Sequence, residues 1–143
     1  MTLQNSLKME LLSKSNNESF VRVAVAAFAA QLDPTIEEIN DIKTAVSEAV
    51  TNCIVHGYKN TLGKIYITVE LLEQRMLRIK IRDRGCGIAN VQQAMEPLFT
   101  TGGEERSGLG FSVMQSFMDK VSVRSVPGRG TTVTLQKRLS VKL

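Results

Sequence analysis

Lys64-Ile-Tyr-Ile-Thr-Val-Glu-Leu-Leu72 and Met76-Leu-Arg-Ile-Lys-Ile-Arg82 alternate apolar and polar residues, and the second run leads into Asp83-Arg84-Gly85-Cys86-Gly87. A period of two in both runs, joined at a Glu73-Gln74 corner, predicts two strands of a hairpin. Upstream, Leu3 to Leu12 reads as a first strand that ends at Ser13-Lys14-Ser15-Asn16-Asn17, where Ser15 or Asn16 can cap a helix. Phe20, Val21, Ala24, Val25 and Phe28 then recur at helical spacing from Glu18 to Gln31, before Asp33-Pro34 closes the element. Thr35 with Glu38 three positions later forms a capping-box pattern for a second helix running to about Val55, with the apolar stripe Ile39, Ile42, Val46, Ala49, Val50 and Cys53.

Downstream of the hairpin, Val91 to Met95 predicts a short helix, and Pro97 to Gly110 lacks usable periodicity and reads as a loop. Phe111 to Met118 resumes helical spacing, Val121 to Val126 is a strand, and Pro127-Gly128-Arg129-Gly130 turns into a last strand, Thr131 to Lys137. This order predicts an α+β fold: one mixed, mostly antiparallel sheet with helices on one face.

The bulk properties narrow the function classes. A chain of 143 residues, 43% of them hydrophobic, suffices for one domain with one core. The apolar stretch Val23 to Ala30 is too short to span a bilayer and no signal pattern is seen, so a cytoplasmic protein is expected. Two distant cysteines, Cys53 and Cys86, and a single histidine indicate neither a zinc cluster nor a disulfide framework; both thiols are expected reduced and packed. The net charge is +4, but Lys and Arg are scattered and aromatics make up only 5%, which favours an acidic protein partner over nucleic acid.

Four places carry residues suited to nucleotide chemistry. Glu48 and Asn52 lie one helical turn apart, roughly 130° from the centre of the apolar stripe, so they share a face that does not point into the core. A carboxylate beside a carboxamide oxygen suits a proton acceptor next to a magnesium ligand. Asp83 can accept a hydrogen bond from an exocyclic amine such as that of adenine, while Gly85 and Gly87 allow the backbone close to a flat ring. Ser107-Gly108-Leu109-Gly110, before a predicted helix, leaves N–H groups for phosphate oxygens, with Arg106 within reach of a γ-phosphate. The set lacks the Lys-Ser/Thr pair of a P-loop and the strand-turn-helix setting of a dinucleotide fingerprint. The fourth place is Gly128-Arg129-Gly130-Thr131-Thr132. Each alone also has an ordinary reading as a solvated helix face, a tight turn, a loop or a hairpin.

In their order, Glu48-x-x-x-Asn52, Asp83-x-Gly85-x-Gly87, Gly108-x-Gly110 and Gly130-Thr131 resemble the four boxes of the GHKL ATPase and kinase superfamily. Glu18 to Arg22, Gln31 to Thr35, Ser47 to Asn52, His56-Gly57-Tyr58 and Pro97 to Thr101 are similar to its sporulation anti-sigma serine kinases, over nearly the whole chain. The resemblance implies a two-layer α/β sandwich over residues 1–143, ATP/ADP and Mg2+ as cofactors, and phosphorylation of a serine on an anti-anti-sigma factor by a homodimer that also binds a sigma factor. It makes Glu48 the general base, Asn52 the magnesium ligand, Asp83 and Thr131 the readers of adenine, and Gly85 and Gly87 the lining of the base pocket. Thr100, Thr101, Ser107, Gly108, Leu109 and Gly110 would hold the nucleotide, Arg106 would neutralise the transferring group, and Arg22 would contact protein partners. Gly102-Gly103 stand where the family usually carries Lys-Pro, and His56 reads as a helix-end histidine. Two alternatives stay open: a stress-response anti-sigma kinase of the same superfamily, and an ATP-dependent sigma-binding module without catalysis.

Overall fold

The computed structural model describes residues 1–96 and 110–141. Five strands form one sheet: β1 (Leu3–Leu12), β2 (Lys64–Leu72), β3 (Met76–Asp83), β4 (Lys120–Val126) and β5 (Gly130–Arg138), in the order β1-β2-β3-β5-β4. Every ladder among the described residues is antiparallel, so the expected mixed, mostly antiparallel sheet has no parallel pair there. The helices are α1 (Ser15–Ala29), α2 (Ile36–Asn52), α3 (Val91–Ala94) and α4 (Gly110–Phe117).

The strand period decides which sheet face is covered. Ile65, Ile67, Val69 and Leu71 of β2 and Leu77, Ile79 and Ile81 of β3 are buried together with Val133 and Leu135 of β5. The intervening Arg78, Lys80 and Arg82 lie on the other face. Onto the apolar face α2 lays Ile42, Val46, Ala49, Val50 and Cys53, while α1 adds Val21, Val25 and Ala29 and α4 adds Phe111 and Met114. Each fully buried aliphatic side chain contributes about 1.5–3 kcal/mol, which outweighs the weak intrinsic preferences of the segments.

Three local expectations are corrected. The buried residues of α1 are Val21, Val25, Ala26 and Ala29, whereas Phe20 is 56% exposed, because the helix presents only one side to α2 and the sheet. Neither Ser15 nor Asn16 caps α1; Lys14 occupies the cap position, and the Asn17 side chain instead donates to the Leu12 carbonyl at 2.9 Å. Cys86 is exposed rather than packed, since the turn after β3 points it outward; its Sγ donates to the His56 and Gly87 carbonyls at 3.2 and 3.3 Å.

The N-terminus of α2 forms as expected: Thr35 Oγ1 accepts from the Glu38 N–H at 3.1 Å, and Glu38 Oε1 accepts from the Thr35 N–H at 2.9 Å. Its C-terminus does not stop at Val55 but widens into a π turn over Cys53–Gly57, closed by Tyr58 N donating to Cys53 O at 2.9 Å. Such turns often mark functional sites, because the extra residue re-aims the chain that follows. Here it brings Gly57 against the end of β3.

Candidate nucleotide site

β3 runs one residue beyond the expected Arg82, and Asp83 is its last member. The register sets Asp83 opposite Ile65 on one side and Thr131 on the other, so its side chain continues the row Leu77, Ile79, Ile81 on the helix-covered face. Asp83 is consequently only 4% exposed. Its Oδ1 accepts from the Gly85 N–H at 2.9 Å. Burial raises the Asp83 carboxyl above its ordinary range, against hydrogen bonds from Gly85, Cys53 and Thr131 that favour the anion. The neighbouring Cys53 thiol is pushed well up by its own burial and by the Asp83 charge, so it stays a protonated donor.

Gly85 and Gly130 are among the glycines required by close backbone approach. A Cβ on Gly85 would stand 2.1 Å from the Gly57 carbonyl oxygen, and one on Gly130, whose φ is +124°, would stand 2.2 Å from the Asp83 carbonyl oxygen. The chain is held there by Cys86 N donating to Gly57 O at 2.9 Å and Gly128 N donating to Cys86 O at 2.6 Å. Thr131 is buried, its hydroxyl 2.8 Å from that of Ser125.

The start of α4 closes the other side. A Cβ on Gly110 would lie 3.2 Å from Asn52 Oδ1 and 3.4 Å from Glu48 Oε2, so the last glycine of the third box faces both polar residues of α2. Between these groups lies a cavity of about 290 Å³ lined by Asn52, Asp83, Gly87, Gly110 and Thr131, with Ala49, Ile88, Phe111 and Val133 as apolar walls. An apolar slot with one buried carboxylate at its base suits a flat heteroaromatic ring bearing an amine.

Glu48, Asn52, Asp83, Gly85, Gly87, Gly110 and Thr131 thus converge on one region. Thr100, Thr101, Arg106, Ser107, Gly108 and Leu109 lie outside the described residues, as does the expected Pro97 to Gly110 loop except for Gly110, which opens α4. Arg22 stands apart from the cavity on α1, its Nη1 3.4 Å from Glu18 Oε2 and 3.5 Å from Ser47 Oγ. The reading of single motifs missed Cys53, Ile88, Asn90, Gln93, Ala94, Phe111 and Val133, all of which line the cavity. Only Asn90 carried a local signal, as the cap whose Oδ1 accepts from Gln93 N at 3.0 Å.

No group of three or more His, Cys, Asp or Glu side chains among the described residues is arranged to hold a metal by itself. The oxygens of Asn52 and Glu48 fit a hard cation whose remaining ligands are phosphate and water, the usual manner of magnesium. No helix among the described residues is long and apolar enough to cross a membrane.

Comparison with known proteins agrees with this geometry. The Histidine kinase-like ATPase domain family matches residues 13–137. Anti-sigma F factors from Caldanaerobacter subterraneus subsp. tengcongensis and from Bacillus subtilis are similar to the chain at 58% and 54% identity, covering 96% of it and 96% and 95% of their own lengths. Among solved structures, the RsbU and RsbW domains of a Mycobacterium tuberculosis protein superpose with a TM-score of 0.70 at 23% identity, over 95% of this chain and 32% of that one. The catalytic domain of histidine kinase ThkA superposes with a TM-score of 0.57 at 17% identity, over 97% of this chain and 100% of that one. The two-layer fold is therefore that of the GHKL ATPases, and the chain belongs to the Histidine kinase-like ATPase domain family, within it to the anti-sigma F factors.

Proposed function

We propose that the chain is a protein-serine kinase that uses Mg-ATP to phosphorylate an anti-anti-sigma factor and, as a homodimer in the ATP state, holds a sporulation sigma factor inactive. The observation that carries this reading is that Asn52, Asp83, Gly110 and Thr131 line one cavity, with the Glu48 carboxylate beside Gly110. Asp83 accepts from the adenine amine, with Thr131 beside it, and Gly85 and Gly87 admit the ring. Asn52 Oδ1 supplies one oxygen to magnesium, which neutralises phosphate charge when bound with the nucleotide. Glu48 takes the proton of the substrate serine as the Oγ–phosphorus bond forms and the bond to the leaving ADP oxygen breaks. Positioning and charge stabilisation dominate phosphoryl transfer, so this small set is chemically sufficient.

Thr100, Thr101, Ser107, Gly108 and Leu109 complete the phosphate cradle in this proposal, and Arg106 neutralises the transferring group. Arg22 is assigned to partner binding. In support, Phe20 and Val23, 56% and 57% exposed, form with Ala27 an apolar stripe on α1 beside it. The whole of residues 1–143 is read as one nucleotide-binding domain acting in the cytoplasm. The names of the relatives support the sporulation branch over the stress-response one. The closeness of Glu48 to Gly110 supports catalysis over a pure binding module.

Mixing the purified chain with Mg-ATP and an anti-anti-sigma protein, then weighing that protein by mass spectrometry, tests the reading. One added phosphate on a serine is expected. An unmodified partner in a complex that forms only with ATP would establish the binding module instead.

A further inference from the structure

We propose that the open face of the sheet, centred on Arg82 and Arg124, is a docking surface for an acidic segment of a protein partner. This face is turned away from the nucleotide cavity, and the inference does not rest on the kinase reading.

The register assembles the surface from residues far apart in sequence. Tyr66 pairs with Arg82, Arg82 with Thr132, and Thr132 with Arg124, so these four stand in one row across β2, β3, β5 and β4. Along β3, Lys80 and Arg82 alternate with buried Ile79 and Ile81, which sets neighbouring cations of one strand roughly 6–7 Å apart. At the end of the sheet, Arg82, Arg124, Arg129 and Thr132 also border a depression of about 300 Å³ that shares its inner wall, formed by Asp83 and Thr131, with the nucleotide cavity. The acids on this face are already engaged: Glu70 accepts from Arg78 at 2.7 Å, and Glu10 lies 3.3 Å from Lys64. Among the described residues, Arg82, Arg124 and Arg129 have no ion-pair partner, while Lys80 acts on Glu70 without forming a close pair.

Charge chooses the occupant. The row combines guanidinium forks, which bind carboxylates bidentately, with a free spacing that matches every second residue of an extended chain. A second copy of the same face would bring like charges together. Nucleic acid lacks a stacking platform here, because the Tyr66 ring is already flanked by the guanidinium groups of Arg82 at 5.8 Å and Arg84 at 4.9 Å. A carboxylate-rich protein segment is the occupant that satisfies the cations without needing that ring.

The test measures fluorescence anisotropy of a labelled peptide alternating Glu and Ser against the full chain at low and high salt. Binding at low salt is expected to weaken by about tenfold or more in Arg82→Glu/Arg124→Glu. Lys14→Glu/Lys43→Glu, which changes the net charge equally elsewhere, should stay within about twofold of the unaltered chain. If the charge-reversed protein fails to fold by circular dichroism, Arg82→Gln/Arg124→Gln carries the same comparison. Equal weakening by both double variants overturns the proposal, as does tighter binding of a DNA duplex than of the peptide. So does a change in oligomeric state, measured by sedimentation, that follows Arg82 and Arg124 alone, since it would assign the face to a second copy.

Discussion

Asp83 and Gly85 are joined by a 2.9 Å hydrogen bond from the glycine N–H to the carboxylate, and this bond aims a buried acid into the nucleotide cavity. Holding that acid there opposes stability. Its raised carboxyl means that the chain is most stable below the ordinary carboxylate range, where the acid is protonated, and loses that stability as pH rises through the folded-state value. Asp83→Asn should therefore melt at a higher temperature than the unaltered chain at neutral pH and lack that part of the pH dependence. The same change should weaken ATP binding by about tenfold or more, because an amide cannot accept from the adenine amine in the same way. Calorimetric melts across acidic to neutral pH, and ATP titration at neutral pH, check both halves.

Glu48→Gln keeps the shape of the side chain and removes the base. Phosphate transfer to the anti-anti-sigma protein should fall by about 10²–10⁴ while ATP affinity changes less than about threefold. Single-turnover assays beside equilibrium nucleotide binding separate the two. Undiminished transfer would reassign the proton acceptor.

Gly85→Ala places a methyl carbon 2.1 Å from the backbone oxygen of Gly57, which no side-chain rotation relieves. A loss of about 1–3 kcal/mol in urea unfolding is expected, together with impaired nucleotide binding. Unchanged stability would mean that the π turn and the end of β3 separate easily in solution.

Glu38 joins the start of α2 to the chain after β5, accepting from Thr35 N at 2.9 Å and from Ser140 N at 2.8 Å. Partial burial pushes its carboxyl up, but these hydrogen bonds outweigh burial and hold it below the ordinary range. Its stabilisation is thus present above the ordinary value and lost as pH falls through the folded-state value, opposite in sense to Asp83. Glu38→Ala should cost about 1 kcal/mol at neutral pH, with less of a penalty in acid, by chemical denaturation at the two pH values.

Arg22→Ala should abolish capture of the sigma factor in a pull-down with ATP while leaving ATP affinity unchanged. Its partly exposed ion pair with Glu18, at 3.4 Å, contributes little to folding, so the melting temperature should move only slightly.

Much of this molecule was legible from local pattern. The alternation over residues 64–82 set the hairpin and the buried face, and Thr35 with Glu38 marked the start of α2, because both signals depend on neighbours within a few positions. The family boxes also pick out Glu48, Asn52, Asp83, Gly85, Gly87, Gly110 and Thr131 from the order of short motifs alone. Periodicity did not reveal that Phe20 faces outward, that Cys86 is exposed, or that the π turn presses Gly57 onto Asp83. It was equally silent on the row of Arg82, Thr132 and Arg124.

The sequence by itself therefore determined the elements, the capped start of α2 and the chemical types available for binding a nucleotide. Tertiary structure alone decided that residues from α2, β3, α4 and β5 meet at one cavity, and that cations from β3, β4 and the turn after β4 gather on the opposite face. The reason is physical: strand register and helix packing are settled by burial between segments remote in the chain, and that free energy exists only once the segments have come together.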